Sequence, residues 1–432
     1  MNWVLLSLLA CAPEPSAEDT ALLGEDKHFS QQQLLELRQH WPLPEVPEDP
    51  TNAFADDPFA QHFGQYLFYD PRFSKTGEVS CASCHDPATG WSDGQRLAET
   101  LDVVNRHTIS LWNAGYTRWS FWDGRCDSLW CQAIEPFETD AEMGGNRLAM
   151  LRTVVGDPEL RFAYEDLFGA LPDISDASRF PPNARPHEDA DHPLNRAWLG
   201  MRPEDREEVE RFLSNVGKSI AAFERRIVSR DAPFDTFAEA LLTDEDPTGE
   251  GLEAISDAAA RGLKLFLGEA ACHFCHDGPN LTNQEFANVG LSVPTWMESG
   301  DRGRLEGVIA VRDAIFNGVG PYSDDPEFAA EKLLYLTIEN EQEGQFKVPT
   351  LRNVESHPPY FHGGHAQTLE DAVRHYGRPD AEFPEYGHRE DLLLDVLLSE
   401  DQVEDIAAFL RTLSSGPASP ELSVQPELPY LD

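Results

Sequence analysis

Apolar and aromatic positions recur at helical spacing in five stretches of the chain. Between Asp57 and Asp70 they fall at Phe59, Phe63, Tyr66, Leu67 and Phe68, and the pattern stops at Asp70-Pro71, because the residue before a proline is pushed out of the helical region. Amphipathic patterns over Arg147 to Leu167 and Glu204 to Arg230 predict two longer helices. Between them Pro172 to Pro193 is rich in Pro, Asp and Asn and reads as loop. A fourth helical pattern covers Ala258 to Leu267, and the last, Ser399 to Leu413, ends before Gly416-Pro417. The stretch TDEDPTGE from Thr243 to Glu250 has linker composition. No repeat of solenoid period is present, and little of the chain reads as strand. The pattern predicts a mainly α protein.

Two of these helices lead into the same short motif. Cys81-Ala82-Ser83-Cys84-His85 follows the first, and Cys272-His273-Phe274-Cys275-His276 follows the fourth. Cys-x-x-Cys-His is the attachment pattern of a c-type haem: two thiols bond to the vinyl groups on one porphyrin edge, and the next His reaches the iron. Neither copy stands beside a second Cys-x-x-Cys that would complete a zinc ribbon. The copies start 191 positions apart (272 − 81). We therefore expect two covalently bound haem c groups in two cytochrome c-like haem domains with long loops and little sheet. The expected boundaries are 56–245 and 250–416, with a linker at 21–55 and a tail at 417–432.

Charge and the remaining cysteines refine this picture. With 77 acidic against 33 basic residues the formal net charge is −44, which excludes nucleic acid and anionic membrane surfaces as partners and would steer a basic partner inward. The plainer reading is an acidic, soluble surface. The apolar run Trp3 to Ala10 is too short to span a bilayer. It ends in Leu8-Leu9-Ala10-Cys11, which resembles a bacterial lipobox, so residues 1–20 read as an export signal with Cys11 as lipid anchor. No Lys or Arg precedes the run, a departure from the usual export signal. The expected address is the periplasm, with membrane contact only through that anchor. Cys126 and Cys131 remain, and two readings stay open: a disulfide, which requires Cys126 to lie in the turn before a helix, or two buried thiols.

Four segments carry a resemblance: LFYDPRFSKTGEVSCASCHDPATGWSDG at 67–94, SFWDGRCDSLWCQAIEPFETDAEMGG at 120–145, GLKLFLGEAACHFCHDGPNLTN at 262–283, and FKVPTLRNVESHPPYFHGGHAQTLEDAVRHYG at 346–377. From Leu67 to about Ser414 the chain resembles the bacterial dihaem cytochrome c peroxidase and MauG superfamily. The resemblance implies that the haem held by Cys81, Cys84 and His85 reacts with hydrogen peroxide, with Gln132, Pro136 and Glu142 on its distal side. It implies an electron path through Trp122 from the haem held by Cys272, Cys275 and His276. The electron donor it implies is a small cytochrome c or cupredoxin, or a protein substrate oxidised at a side chain. It also implies a homodimer as one form of assembly.

Three departures mark this chain within the superfamily. Many members place a distal His about sixteen residues after the first haem His, and here that count lands on Leu101, with no His between His85 and His107. The first haem is therefore expected to be open without reductive activation. Many members ligate the second haem with a Met fourteen residues after the His of the PYFH motif. From His362 that count lands on Tyr376, as in MauG, with His375 as the rival ligand. A phenolate there favours ferric iron. The calcium that members hold between the haems would fall on His107, His357 and Pro359. Imidazole suits a hard cation poorly, so either calcium is weak or absent there, or the two imidazoles bind a transition metal. A non-enzymatic electron carrier is the reading from another class, and a proton-transfer pocket argues against it.

Overall fold

The computed structural model describes residues 25–243, 250–297, 300–378, 384 and 386–428. The export segment with Cys11 and nearly all of the 243–250 linker lie outside the described residues.

One arrangement occurs twice. In the first half, helix α2 (Pro58–Tyr69), preceded by α1 (Gln31–Leu37), leads into the first haem motif, whose Cys81–Cys84 forms the short α3. Asp57 starts α2 by accepting from the amides of Phe59 (2.8 Å) and Ala60 (3.0 Å), and Pro58 has no amide to leave unpaired. In the second half α10 (Asp257–Phe266) leads into Cys272–Phe274. Each lead helix crosses a long closing helix: α2 crosses α8 (Pro203–Glu224), and α10 crosses α14 (Glu400–Arg411). Both crossings bring backbone against backbone at a glycine. A Cβ on Gly64 would stand 1.8 Å from the Ser219 carbonyl oxygen, and one on Gly262 would stand 1.9 Å from that of Asp405. Only glycine fits either crossing.

The segments after the haem motifs match as closely. Asn113 and Asn353 have φ of +59°, and Phe121 and Phe361 have φ of +66° and +68°. Ser128 caps α4 (Leu129–Glu138) and Thr368 caps α13 (Leu369–Tyr376). Every pair is 240 positions apart (353 − 113, 361 − 121 and 368 − 128 alike). Each asparagine side chain also accepts from the chain leaving the closing helix: Asn113 from the Ser229 amide (2.8 Å), Asn353 from the Ser415 amide (2.9 Å).

Two hydrophobic cores result. The first gathers Phe63, Leu67, Phe68, Trp91, Trp130 and Phe223, and the second Phe234, Phe237, Phe266, Leu369, Phe409 and Leu413. Each fully buried phenylalanine contributes on the order of 2 kcal/mol. The chain is mainly α. Among the described residues its one sheet pairs β1 (Phe286–Ala287) antiparallel with β2 (Phe346–Lys347).

Several details depart from the sequence pattern. Arg147 to Leu167 is two helices, α5 (Arg147–Gly156) and α6 (Pro158–Phe168). Asp157 ends the first and caps the second, accepting from Glu159 (3.0 Å) and Leu160 (3.2 Å), and Pro158 cannot donate to the preceding turn. The segment read as a linker, 21–55, contains α1, and its Leu37 is buried in the second core. Helices α7 (Pro193–Gly200), α9 (Pro233–Thr243), α11 (Arg304–Asp313) and α12 (Pro326–Leu334) complete the set. Residues 417–428 run back over α2, where Gln65 donates to the Glu421 carbonyl (2.6 Å) and Tyr69 to that of Leu422 (2.8 Å).

Candidate active site

The histidine of each haem motif is held in the same way. His85 Nδ1 lies 3.0 Å from the Trp91 carbonyl oxygen, and His276 Nδ1 lies 3.1 Å from that of Leu281. Trp91 and Leu281 have φ of +60° and +52°, which turns each carbonyl towards the ring. A carbonyl only accepts, so Nδ1 carries the proton and Nε2 keeps a free lone pair. Burial lowers both imidazole pKa values, that of His276 to about 4, so both rings are neutral, the form that binds iron. The thiols of Cys81, Cys84, Cys272 and Cys275 are unpaired and half-buried. The first motif opens on a cavity of about 380 Å³ and the second on one of about 210 Å³.

Gln132, Pro136 and Glu142 line the same cavity as Cys81, Cys84 and His85. Gln132 and Pro136 come from α4, and Glu142 from the loop after it. That loop is fixed by its own backbone: the Glu142 amide donates to the Thr139 carbonyl (3.0 Å), and Thr100 Oγ1 donates to that of Glu142 (2.9 Å). The start of α4 is tied by a disulfide between Cys126 and Cys131, Cα atoms 5.6 Å apart. Cys126 lies before the helix, the condition under which a pair of that spacing can close. Oε1 of Gln132 and Oε2 of Glu142 are buried without a hydrogen-bond partner. Burial raises the Glu142 pKa, against the pull of Arg125. Two unpartnered oxygens facing one cavity are unusual in a folded protein and point to a ligand that supplies the missing donors.

Trp122 lines both cavities and donates from Nε1 to the His107 carbonyl (2.8 Å). Its neighbour Asp123 is clamped by Arg106 (2.6 Å), which also holds Asp301 (2.7 Å). In the second cavity, Tyr376 is on the wall, and burial and the Cys275 and Cys272 thiols raise the pKa of its hydroxyl. His375 is bonded through Nε2 to the Val289 carbonyl (2.8 Å) and does not itself line that cavity. His107, His357 and Pro359 all line the second cavity. His107 Nδ1 lies 2.7 Å from the Gln95 carbonyl, and its Nε2 is buried without a partner. Among the described residues no group of three or more His, Cys, Asp or Glu is arranged to hold a metal ion.

A profile described as di-haem cytochrome c peroxidase matches residues 60–241. A methylamine utilization protein MauG from Methylorubrum extorquens is 30% identical over 403 residues, 93% of this chain and 90% of the relative. The chain belongs to the dihaem cytochrome c peroxidase and MauG family. A cytochrome c551 peroxidase from Pseudomonas aeruginosa is 27% identical, covering 85% of this chain and 84% of that one. The crystal structure of a MauG-like protein associated with microbial copper homeostasis shares the fold, with a TM-score of 0.60 at 22% identity over 89% of this chain and 99% of that one.

As a member of that family the protein is a dihaem oxidoreductase with two haem c groups. The residues present fit them: two thiols, a neutral imidazole and an apolar cavity in each half.

Two buried groups beside the haems were missed in the sequence. Lys347, in the FKVPTLRN segment, lines both cavities. Glu224 lines the first, is 2% exposed, and its Oε2 has no partner. Its sequence signal was an acid one turn after Ile220 on the apolar face of α8. Burial alone pushes the Glu224 carboxyl up to about 8. The folded protein thus keeps a proton that the unfolded chain releases near 4.5, and stability falls as pH rises between those values. Glu224→Gln is expected to remove that loss, on the order of 1 kcal/mol per pH unit. Denaturant unfolding at pH 5, 6.5 and 8 checks this, and identical slopes for variant and parent would contradict it.

Proposed function

We propose that the protein reduces hydrogen peroxide at the haem held by Cys81, Cys84 and His85, with electrons passed from the second haem by way of Trp122. The observation that carries this reading is the pair Pro136 and Tyr376. They occupy equivalent places, eight residues after the caps Ser128 and Thr368. Tyr376 brings a hydroxyl to its haem cavity, whereas Pro136 has no ligating atom, which leaves the first haem open on its distal side.

The balanced reaction is one peroxide, two electrons and two protons giving two waters. Bound haem supplies the electron-transfer chemistry. Ionised Glu142 would take a proton from one peroxide oxygen and return it to the departing oxygen, so that water leaves instead of hydroxide. Gln132 accepts from the peroxide O–H through its unpartnered Oε1 and so holds the peroxide in line. The apolar walls keep the Glu142 carboxyl basic enough to accept. Trp122, against both cavities, would carry the electron from one haem to the other.

A second reading concerns the donor: oxidation of a partner protein's side chain, as in MauG. Tyr376 in place of Met favours it, because a phenolate holds the second iron ferric. Export to the periplasm fits either reading, since c-type haem is attached outside the bacterial cytoplasm. Calcium between the haems is expected to be weak or absent, because His107 and His357 offer imidazole to a hard cation. Metal analysis of the purified protein is expected to find less than one calcium per chain, and one retained calcium per chain would overturn that.

Steady-state turnover with hydrogen peroxide and a reduced small cytochrome c tests the proposal. Saturable oxidation of the cytochrome is expected, without prior reduction of the enzyme. No turnover with any reduced cytochrome or cupredoxin would overturn the peroxidase reading and leave oxidation of a partner protein or electron carriage alone.

A further inference from the structure

Lys347 occupies the junction of the two haem cavities. It lies on β2, lines both cavities and is 7% exposed. Its amide donates to the carbonyl of Trp122 (2.8 Å), the residue that also faces both cavities. Among the described residues its ammonium has no carboxylate, carbonyl or hydroxyl partner, and burial alone lowers its pKa, to about 8.

Other cations of the chain show how uncommon this is. Arg106 holds Asp123 and Asp301, Arg352 holds Asp235 (2.8 Å), and Lys218 holds Asp324 (2.8 Å). Lys332 donates to the carbonyls of Arg118 and Asp127. Each of these buried cations has its counter-charge or acceptor supplied by the chain, and Lys347 does not. A buried ammonium without an anion is strongly unfavourable, so the anion must come with what fills the cavities.

Haem carries two propionate carboxylates on the edge opposite its vinyl groups. Thioether bonds to Cys81 and Cys84, and to Cys272 and Cys275, fix the vinyl edge of each haem at its own motif. The propionate edge of each haem would then lie away from its own motif, and the walls the two cavities share include His107, Trp122 and Lys347. We propose that Lys347 is the shared counter-ion of both haems, donating to one propionate of each beside Trp122. A positive charge held against both groups favours the reduced form of each iron, so Lys347 sets the two potentials together. This inference rests on the two haems and not on the reaction with peroxide.

Potentiometry of the holoprotein, which needs no peroxide, tests it. Lys347→Met keeps the apolar stem and removes the charge. It is expected to shift the oxidised-to-reduced ratio of both haems at fixed potential at least tenfold towards oxidised, a fall of 59 mV for a one-electron couple, and Lys347→Arg is expected to restore both. A shift confined to one haem would overturn the shared role, and unchanged potentials would overturn the contact itself. Should the methionine variant fail to retain its haems, resonance Raman of the parent decides. The propionate bending bands of both haems are expected at the frequency of hydrogen-bonded carboxylates, and a non-bonded band for either would overturn the proposal.

Discussion

Glu142→Gln is expected to slow the reaction with hydrogen peroxide by about 10²–10⁴-fold, the range a positioned general base contributes. Glutamine keeps the size of the side chain and its place in the loop fixed by Thr139 and Thr100, but it cannot accept and return a proton. Both haems should still be attached and both Soret bands present. The pH profile supplies a second readout. Burial raises the Glu142 pKa above the ordinary carboxylate range, and the base works only when ionised. The parent rate should therefore fall as pH drops through that raised value, and the glutamine variant should show no such fall. Stopped-flow mixing with peroxide across pH checks both. An unchanged rate in the variant would remove Glu142 from the mechanism.

Tyr376→Met is expected to raise the potential of the second haem by on the order of 0.1–0.3 V, a fraction of the range of about 0.8 V that axial ligation covers. The thioether has no charge to stabilise ferric iron, whereas the phenolate does. The potential of the first haem should move far less, because Tyr376 lines only the second cavity. Spectropotentiometry resolves the two. A second-haem potential that does not change would mean that Tyr376 packs against the haem without ligating it, and would return attention to the other residues of that cavity. His375 is the weaker rival, since its Nε2 is bonded to the Val289 carbonyl.

The parts of this protein that are legible in the sequence are those fixed by local chemistry. Cys-x-x-Cys-His names its cofactor in five residues, and the lead helices before each copy show their apolar spacing. The match between the halves was visible only as an order of elements. Its detail lies in the left-handed residues Asn113 and Asn353 and in the glycine crossings at Gly64 and Gly262, whose reason is contact with chain far away in sequence. The break at Asp157-Pro158 was in plain view, yet the amphipathic pattern on either side of it hid the proline. Lys347 and Glu224 were missed because burial, not residue type, makes them unusual. A lysine in a short strand and a glutamate at the end of a long helix are ordinary until both are found facing the haem cavities.

The central claim is that the first haem is open and reacts with peroxide at rest. An EPR spectrum of the fully oxidised protein at low temperature, before and after stoichiometric hydrogen peroxide and with no reductant added, tests it most directly. A high-spin ferric signal at rest that is lost on adding peroxide is the predicted result. Two low-spin signals indifferent to peroxide would contradict it, because both irons would then be capped on both faces.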